Sequence, residues 1–165
     1  LAFDEIIEQC SAQNFNADAI AFTTSSGGTH AGLVAGLVRA RTRDPLKQLP
    51  KIIGIGVAKG TALSSLSITD LANETLNLLN ETSRATTDDV SIDSNYMGSD
   101  YAVATQAATD AAKWAAHRGA WVLDAVYSAK GFSGLLGLDA NNEFGSDANV
   151  VFIHTGGLPS IFANH

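Results

Sequence analysis

The sequence predicts an α/β fold, a three-layer α/β/α arrangement around a mostly parallel sheet. Three observations carry this. Strand-like and helix-like segments alternate along the chain, the pattern that builds parallel sheets through helical crossovers. Each strand-like segment is a short apolar run without in–out alternation, as expected of a sheet covered on both faces. With 45 % hydrophobic and 16 % charged residues among 165, the chain has the material for one well-buried core.

The elements follow in order. Residues 1–14 carry an apolar stripe at Leu1, Phe3, Ile6, Ile7 and Cys10, which predicts a helix. Asp18 to Thr24 reads as a short buried strand built on Ala19, Ile20, Ala21 and Phe22. After a Ser/Gly loop, Thr29 to Arg41 returns to helical spacing through Leu33, Val34, Leu37 and Val38. Pro45 and Pro50 bracket a loop. Lys51 to Ala58 is β-branched and Gly-rich, a central strand, and Ser67 to Arg84 is a helix with Leu71, Leu78 and Leu79 on its apolar face. Thr86 to Asp100 is polar and aperiodic, and reads as the longest loop. Val103 to His117 is an Ala-rich helix that Gly119 should end. Trp121 to Asp124 reads as a brief strand, Gly131 to Leu138 as a short helix, and Ala148 to His154 as a last strand running into Thr155-Gly-Gly-Leu-Pro159. There is no internal repeat and no linker, so residues 1–165 are read as one domain.

Composition excludes several classes of function. The net charge is −7, and the basic group Arg39, Arg41, Arg43, Lys47 and Lys51 has no interleaved aromatics. A nucleic-acid partner is therefore not expected. No apolar run is long enough to span a bilayer, and the first residues, Leu-Ala-Phe-Asp-Glu, show no signal-peptide pattern. Cys10 is the single cysteine, which rules out an intrachain disulfide and agrees with a reducing, cytoplasmic setting. His30 and His154 lie far apart with no carboxylate pattern around them, so no metal site is expected.

The segment Thr23-Thr-Ser-Ser-Gly-Gly-Thr-His-Ala-Gly32 lies where a strand hands over to a helix, the usual position of ligands in α/β sheets. A helix starting near Thr29 aims unpaired N–H groups and its positive end at this loop. Gly27 and Gly28 allow close approach of an anion, and Ser25, Ser26 and Thr29 add hydroxyl donors. It is neither a Walker loop nor a Gly-x-Gly-x-x-Gly dinucleotide loop. Composition alone leaves two readings open, a metal-free seat for a phosphate monoester or a plain helix cap with a glycine turn.

Three segments together resemble the D-cysteine desulfhydrase and aminocyclopropane-carboxylate deaminase family of tryptophan-synthase-β-like pyridoxal-phosphate (PLP) enzymes, fold type II. Ser26-Gly-Gly-Thr-His-Ala-Gly-Leu33 is similar to the loop that cradles the PLP phosphate. Leu123-Asp-Ala-Val-Tyr-Ser-Ala-Lys130 is similar to the family's Leu-Asp-Pro-Val-Tyr-x-Gly-Lys. Phe152-Ile-His-Thr-Gly-Gly-Leu-Pro159 is close to its His-Thr-Gly-Gly signature.

The resemblance implies PLP as cofactor, with Ser26, Gly27, Gly28 and Thr29 holding its phosphate. Tyr127 would be the catalytic tyrosine beside the substrate, and Ser128, Thr155 and Gly156 would lie near the pyridine ring. It further implies a PLP-dependent lyase that removes a β-substituent from a small amino acid such as D-cysteine, giving pyruvate, ammonia and sulfide. Aminocyclopropane-carboxylate deaminase is the alternative, and a non-catalytic small-ligand or protein-binding module that keeps the phosphate loop is another. The deaminase branch carries a carboxylate where Ser128 stands. A serine is a poor proton source and leaves the ring neutral, which tilts the expectation towards β-elimination.

In the family the Schiff-base lysine and the segment that grips the substrate carboxylate lie upstream of the phosphate loop. Only 25 residues precede Ser26 here, and the lysines are Lys47, Lys51, Lys59, Lys113 and Lys130. The expectation is thus a C-terminal, large-domain portion, inactive alone, that meets a missing N-terminal half or companion chain and forms a homodimer when full-length. Asp124-Ala-Val126, Ala129 and Tyr101-Ala-Val-Ala-Thr105 depart from the family's turn-forming Pro and Gly positions on the substrate side.

Overall fold

The computed structural model describes residues 2–58, 63–100 and 103–156. Helix α1 spans Ala2–Ala12, strand β1 Ala19–Thr24, α2 Gly28–Arg43, β2 Lys51–Gly56, α3 Ser65–Leu78, β3 Ser91–Asp93, α4 Gln106–Gly119, α5 Ser128–Ala140 and β4 Val150–Ile153. The strands form one sheet in the order β3-β2-β1-β4, and every pairing is parallel. The expected α/β architecture is present.

Both faces of the sheet are covered, which explains the unbroken apolar runs. Ile20 and Phe22 of β1, with Ile52 of β2, pack against Phe3 of α1, Val34 and Val38 of α2, and Ile68 and Leu76 of α3. The alternate set, Ala19, Ile53 and Ile55, faces the other way, towards Leu138 of α5. Outside α5 lies α4, whose Ala108, Ala111 and Ala115 meet Ala129 and Phe132. All six residues of β1 are buried. No pattern with a polar face would survive there.

Gly131 fixes how near α5 approaches the sheet. A β-carbon at this position would overlap the Thr23 side chain and stand 3.1 Å from the Thr23 Cα. The glycine therefore lets the first turn of α5 rest directly on β1.

Several boundaries differ from the sequence reading, each for a local reason. Helix α3 stops at Leu78 and Asn80 follows with φ 57°, a left-handed turn that asparagine tolerates and that ends the helix before Arg84. Helix α4 begins at Gln106 because Thr105 caps it, accepting from the Ala108 N–H at 3.1 Å. At its far end Ala120, not Gly119, takes the left-handed position. Residues 121–124 form no strand: they leave that turn and run into the bend preceding α5, and β4 lies next to β1 instead. The loop of residues 86–100 contains a 3₁₀ turn at Thr87–Asp89 and the three-residue edge strand β3. Ser91-Ile-Asp93 is too short and polar to announce itself.

Candidate functional site

The three sequence segments lie at the carboxyl end of the sheet. Ser26–Thr29 leaves the end of β1 directly. Tyr127 immediately precedes α5, and its hydroxyl donates to the Thr23 carbonyl at 3.1 Å. Thr155 and Gly156 leave β4 just past its last pair, Ile153 with Phe22 of β1, and so emerge from the same end of the sheet. The Gly157–Pro159 part of the C-terminal motif lies outside the described residues, as do Lys59, Tyr101 and Ala102.

The phosphate-loop candidate has the form an anion needs. Gly27 occupies the position before α2 with φ 84°, a left-handed conformation that suits glycine, and no side chain caps the helix. The first intrahelical backbone bond runs from the Ala31 N–H to the Gly27 carbonyl at 2.8 Å. The N–H groups of Gly28, Thr29 and His30 thus precede the hydrogen-bonded ladder. A β-carbon added at Gly28 would meet nothing within 4 Å, so open space lies in front of the turn. Ser26, Gly28 and Thr29 are exposed. A phosphate fits this seat: backbone donors, flanking hydroxyls and the positive helix end.

The other helices whose starts are described differ. Ser64 caps α3 through a reciprocal box with Ser67, and Thr105 caps α4. Before α5 the buried Asp124 carboxylate accepts from the N–H groups of Val126, Tyr127 and Ser128 at 3.0, 2.8 and 2.8 Å, and from the Ser128 hydroxyl at 2.6 Å. Burial by itself pushes the Asp124 carboxyl up, but the hydrogen bonds from Ser128, Tyr127 and Val126 together hold it below the usual carboxylate range. An internal carboxylate already occupies the start of α5, whereas α2 keeps its start open.

The family resemblance places Ser128 beside a pyridine nitrogen. The structure gives its hydroxyl another partner. Its one proton goes to Asp124, it accepts from the Asp124 N–H at 2.8 Å, and it is only 1 % exposed. As placed, Ser128 orders the turn that carries Tyr127. Tyr127 itself is half-buried and joined to β1 twice, since the Thr23 hydroxyl also donates to the Tyr127 carbonyl at 3.5 Å. Thr155 is exposed, and Gly156 has φ 125°. His154 secures this end of β4: its Nδ1 accepts from the Gly156 N–H at 3.4 Å, so Nε2 carries the proton and donates to the Val122 carbonyl at 2.9 Å. No cluster of metal-ligating side chains occurs among the described residues.

Sequence reasoning missed two buried groups at this end. His30, at the first turn of α2, is fully buried with neither ring nitrogen hydrogen-bonded among the described residues. Its ring meets Phe22 edge-on. Desolvation pushes its pKa down to about 4. Lys130 is also fully buried. The burial of neither left a signal, because an isolated His or Lys beside apolar residues is indistinguishable in sequence from an exposed one. Asp124 did leave one: an Asp three and four residues before Tyr127-Ser128 is a helix-start pattern.

Known proteins resemble this chain in sequence and in fold. A family model described as "Pyridoxal-phosphate dependent enzyme" matches residues 2–156. A D-cysteine desulfhydrase of Salmonella paratyphi C is 31% identical over 161 residues, covering 98% of this chain and 46% of its own length. One from Salmonella typhi is 30% identical over the same span. This chain therefore spans about half the length of the curated relatives it matches. A solved structure of an ACC deaminase homologue superposes with a TM-score of 0.77 at 26% identity, over 94% of this chain and 45% of that one.

Proposed function

This chain belongs to the family of pyridoxal-phosphate-dependent enzymes, and from that premise we propose that it is the C-terminal, large-domain part of a longer PLP-dependent lyase acting on a small amino acid such as D-cysteine. The single observation that carries the reading is the open start of α2. Neither α2 nor α5 has a side-chain cap at its N-cap residue, but the Asp124 carboxylate accepts from the Ser128 N–H at the start of α5. At α2 no side chain stands in front of the first turn, and a β-carbon at Gly28 would meet nothing within 4 Å.

In this reading Ser26, Gly27, Gly28 and Thr29 hold the cofactor's phosphate through N–H and hydroxyl donors, with no metal ion. Thr155 and Gly156 border the ring from β4. When bound, the cofactor withdraws electrons from the substrate's α-carbon, a chemistry that no side chain here supplies. Tyr127 stands beside the substrate. Its phenol proton is given to the Thr23 carbonyl, which leaves the oxygen able to accept a hydrogen bond from a substrate ammonium. Asp124 and Ser128 keep Tyr127 in place.

The overall reaction removes the α-proton and expels the β-substituent with its bonding electrons. The released aminoacrylate takes up water and breaks down to pyruvate and ammonia. A lysine in the remainder of the longer protein takes the proton, so the chain alone is inactive. The remainder or a companion chain completes the site, in a cytoplasmic homodimer. Position 128 carries no carboxylate, and the Ser128 hydroxyl and the Asp124 carboxylate are both spent on their own turn, so neither supplies a proton to the ring, which favours elimination over cyclopropane opening. The alternative, aminocyclopropane-carboxylate deamination, draws its support from the likeness in fold to the ACC deaminase homologue.

The test is release of the 2-oxoacid, pyruvate from D-cysteine and 2-oxobutanoate from aminocyclopropane carboxylate, measured on the full-length product and on this chain alone. Release from D-cysteine by the full-length protein only is expected. Turnover of the cyclopropane substrate alone, or of neither, contradicts the proposal.

A further inference from the structure

Lys130 lies one turn into α5 from Tyr127 and is completely buried. Its ammonium donates to the carbonyls of Met97 and Asp100, each at 2.7 Å. Between those two carbonyls the backbone turns through Gly98 with φ 75°, and a β-carbon there would stand 3.9 Å from the ammonium and press on the Thr105 methyl. Two carbonyls three residues apart thus converge on one cation. The bend they form is packed against the residue that caps α4. Tyr96, just before the bend, packs across Gly137 of α5. The segment begins where β3 leaves the carboxyl end of the sheet, the end occupied by Tyr127 and the α2 turn.

A buried ammonium is costly unless its donors are matched. Here the carbonyls of the half-buried Met97 and the exposed Asp100 accept from it. An apolar side chain at position 130 would leave the Met97 and Asp100 carbonyls without that donor and remove the reason for the bend to close.

We propose that Lys130 is a positioning residue: its ammonium closes the Met97–Asp100 bend over the Tyr127 side of the site, and so sets the substrate side without touching the phosphate seat. The functional half of this rests on the cofactor reading above, whereas the closing of the bend does not.

Two variants test it, Lys130→Met, which keeps the stem, and Lys130→Ala, which leaves room for an added cation. By amide exchange, residues 97–100 should exchange at least about tenfold faster in both variants, with β1 and α2 unchanged. Ethylammonium should restore protection to Lys130→Ala and do nothing for Lys130→Met. In the full-length enzyme, KM for the amino acid should rise about tenfold while PLP affinity stays within about twofold. Unchanged exchange at 97–100 overturns the proposal. So does accelerated exchange spread equally over β1 and α5, or absence of rescue by ethylammonium. A fall in PLP affinity with KM unchanged also overturns it. Failure of the cofactor reading shows differently, as absence of PLP binding by the unsubstituted protein, and leaves the exchange results intact.

Discussion

Tyr127 and Thr23 hold each other by reciprocal hydrogen bonds: the phenol donates to the Thr23 carbonyl at 3.1 Å and the threonine hydroxyl to the Tyr127 carbonyl at 3.5 Å. They are 104 residues apart in sequence. The pair ties the start of α5 to the end of β1, one residue before the chain turns towards the phosphate seat. Removing the phenol hydroxyl should therefore affect both stability and site. Tyr127→Phe is expected to cost about 1 kcal/mol, or roughly 3 °C in Tm, as read by thermal unfolding. The same variant in the full-length enzyme should lower kcat with PLP affinity retained.

Gly131 makes that approach possible. Gly131→Ala places a methyl group into Thr23 and should destabilise by about 2 kcal/mol, because α5 must lift from β1. Urea unfolding with an unchanged m-value checks this. A neutral effect would mean that the helix does not rest on the strand.

Asp124 is the keystone of the turn before α5. Asp124→Ala should cost about 2 kcal/mol, since it removes a cap with several donors. Asp124→Asn should cost less, because one of its side-chain atoms still accepts. The sign with pH follows from the depressed carboxyl. A group held below its unfolded value adds stability that is fully present above about pH 4 and is lost as pH falls through the folded value. Both variants should flatten the acid limb of a stability–pH curve below about pH 4.

His30 acts at higher pH. Its pKa falls from 6.5 to about 4 on folding, so the unfolded chain binds the proton more tightly. Above 6.5 the ring is neutral in both states and stability is unaffected. Between 6.5 and about 4, stability should fall by roughly 3 kcal/mol as pH drops. His30→Leu should abolish that step, as measured by denaturant unfolding at pH values across the window.

How much of this the sequence disclosed depended on the range of the interactions involved. The β1 run, Ala-Ile-Ala-Phe-Thr-Thr24, was legible because burial on both faces leaves only apolar and small residues. The Gly27-Gly28 turn was legible because a left-handed residue ahead of a helix leaves glycine in the chain. Strand β3 was hidden, since three residues held by one neighbour need no pattern of their own. The burial of Lys130 was hidden too, because the carbonyls that satisfy it belong to backbone 30 and 33 residues away. The Ser128 hydroxyl shows the same limit. Its family position suggested a ring partner, but Asp124, four residues earlier, holds it.

The central claim is that the turn at 26–29 is a seat for a phosphate, and binding itself tests it most directly. Backbone amide shifts of residues 26–31 should be followed while PLP, then inorganic phosphate, is titrated into the protein and into a Gly28→Glu variant that sets a carboxylate in the open space. Saturable shifts of the Gly28, Thr29 and His30 amides are expected with both ligands, as is their loss in Gly28→Glu. Shifts centred elsewhere, or binding undiminished by the added carboxylate, would contradict it.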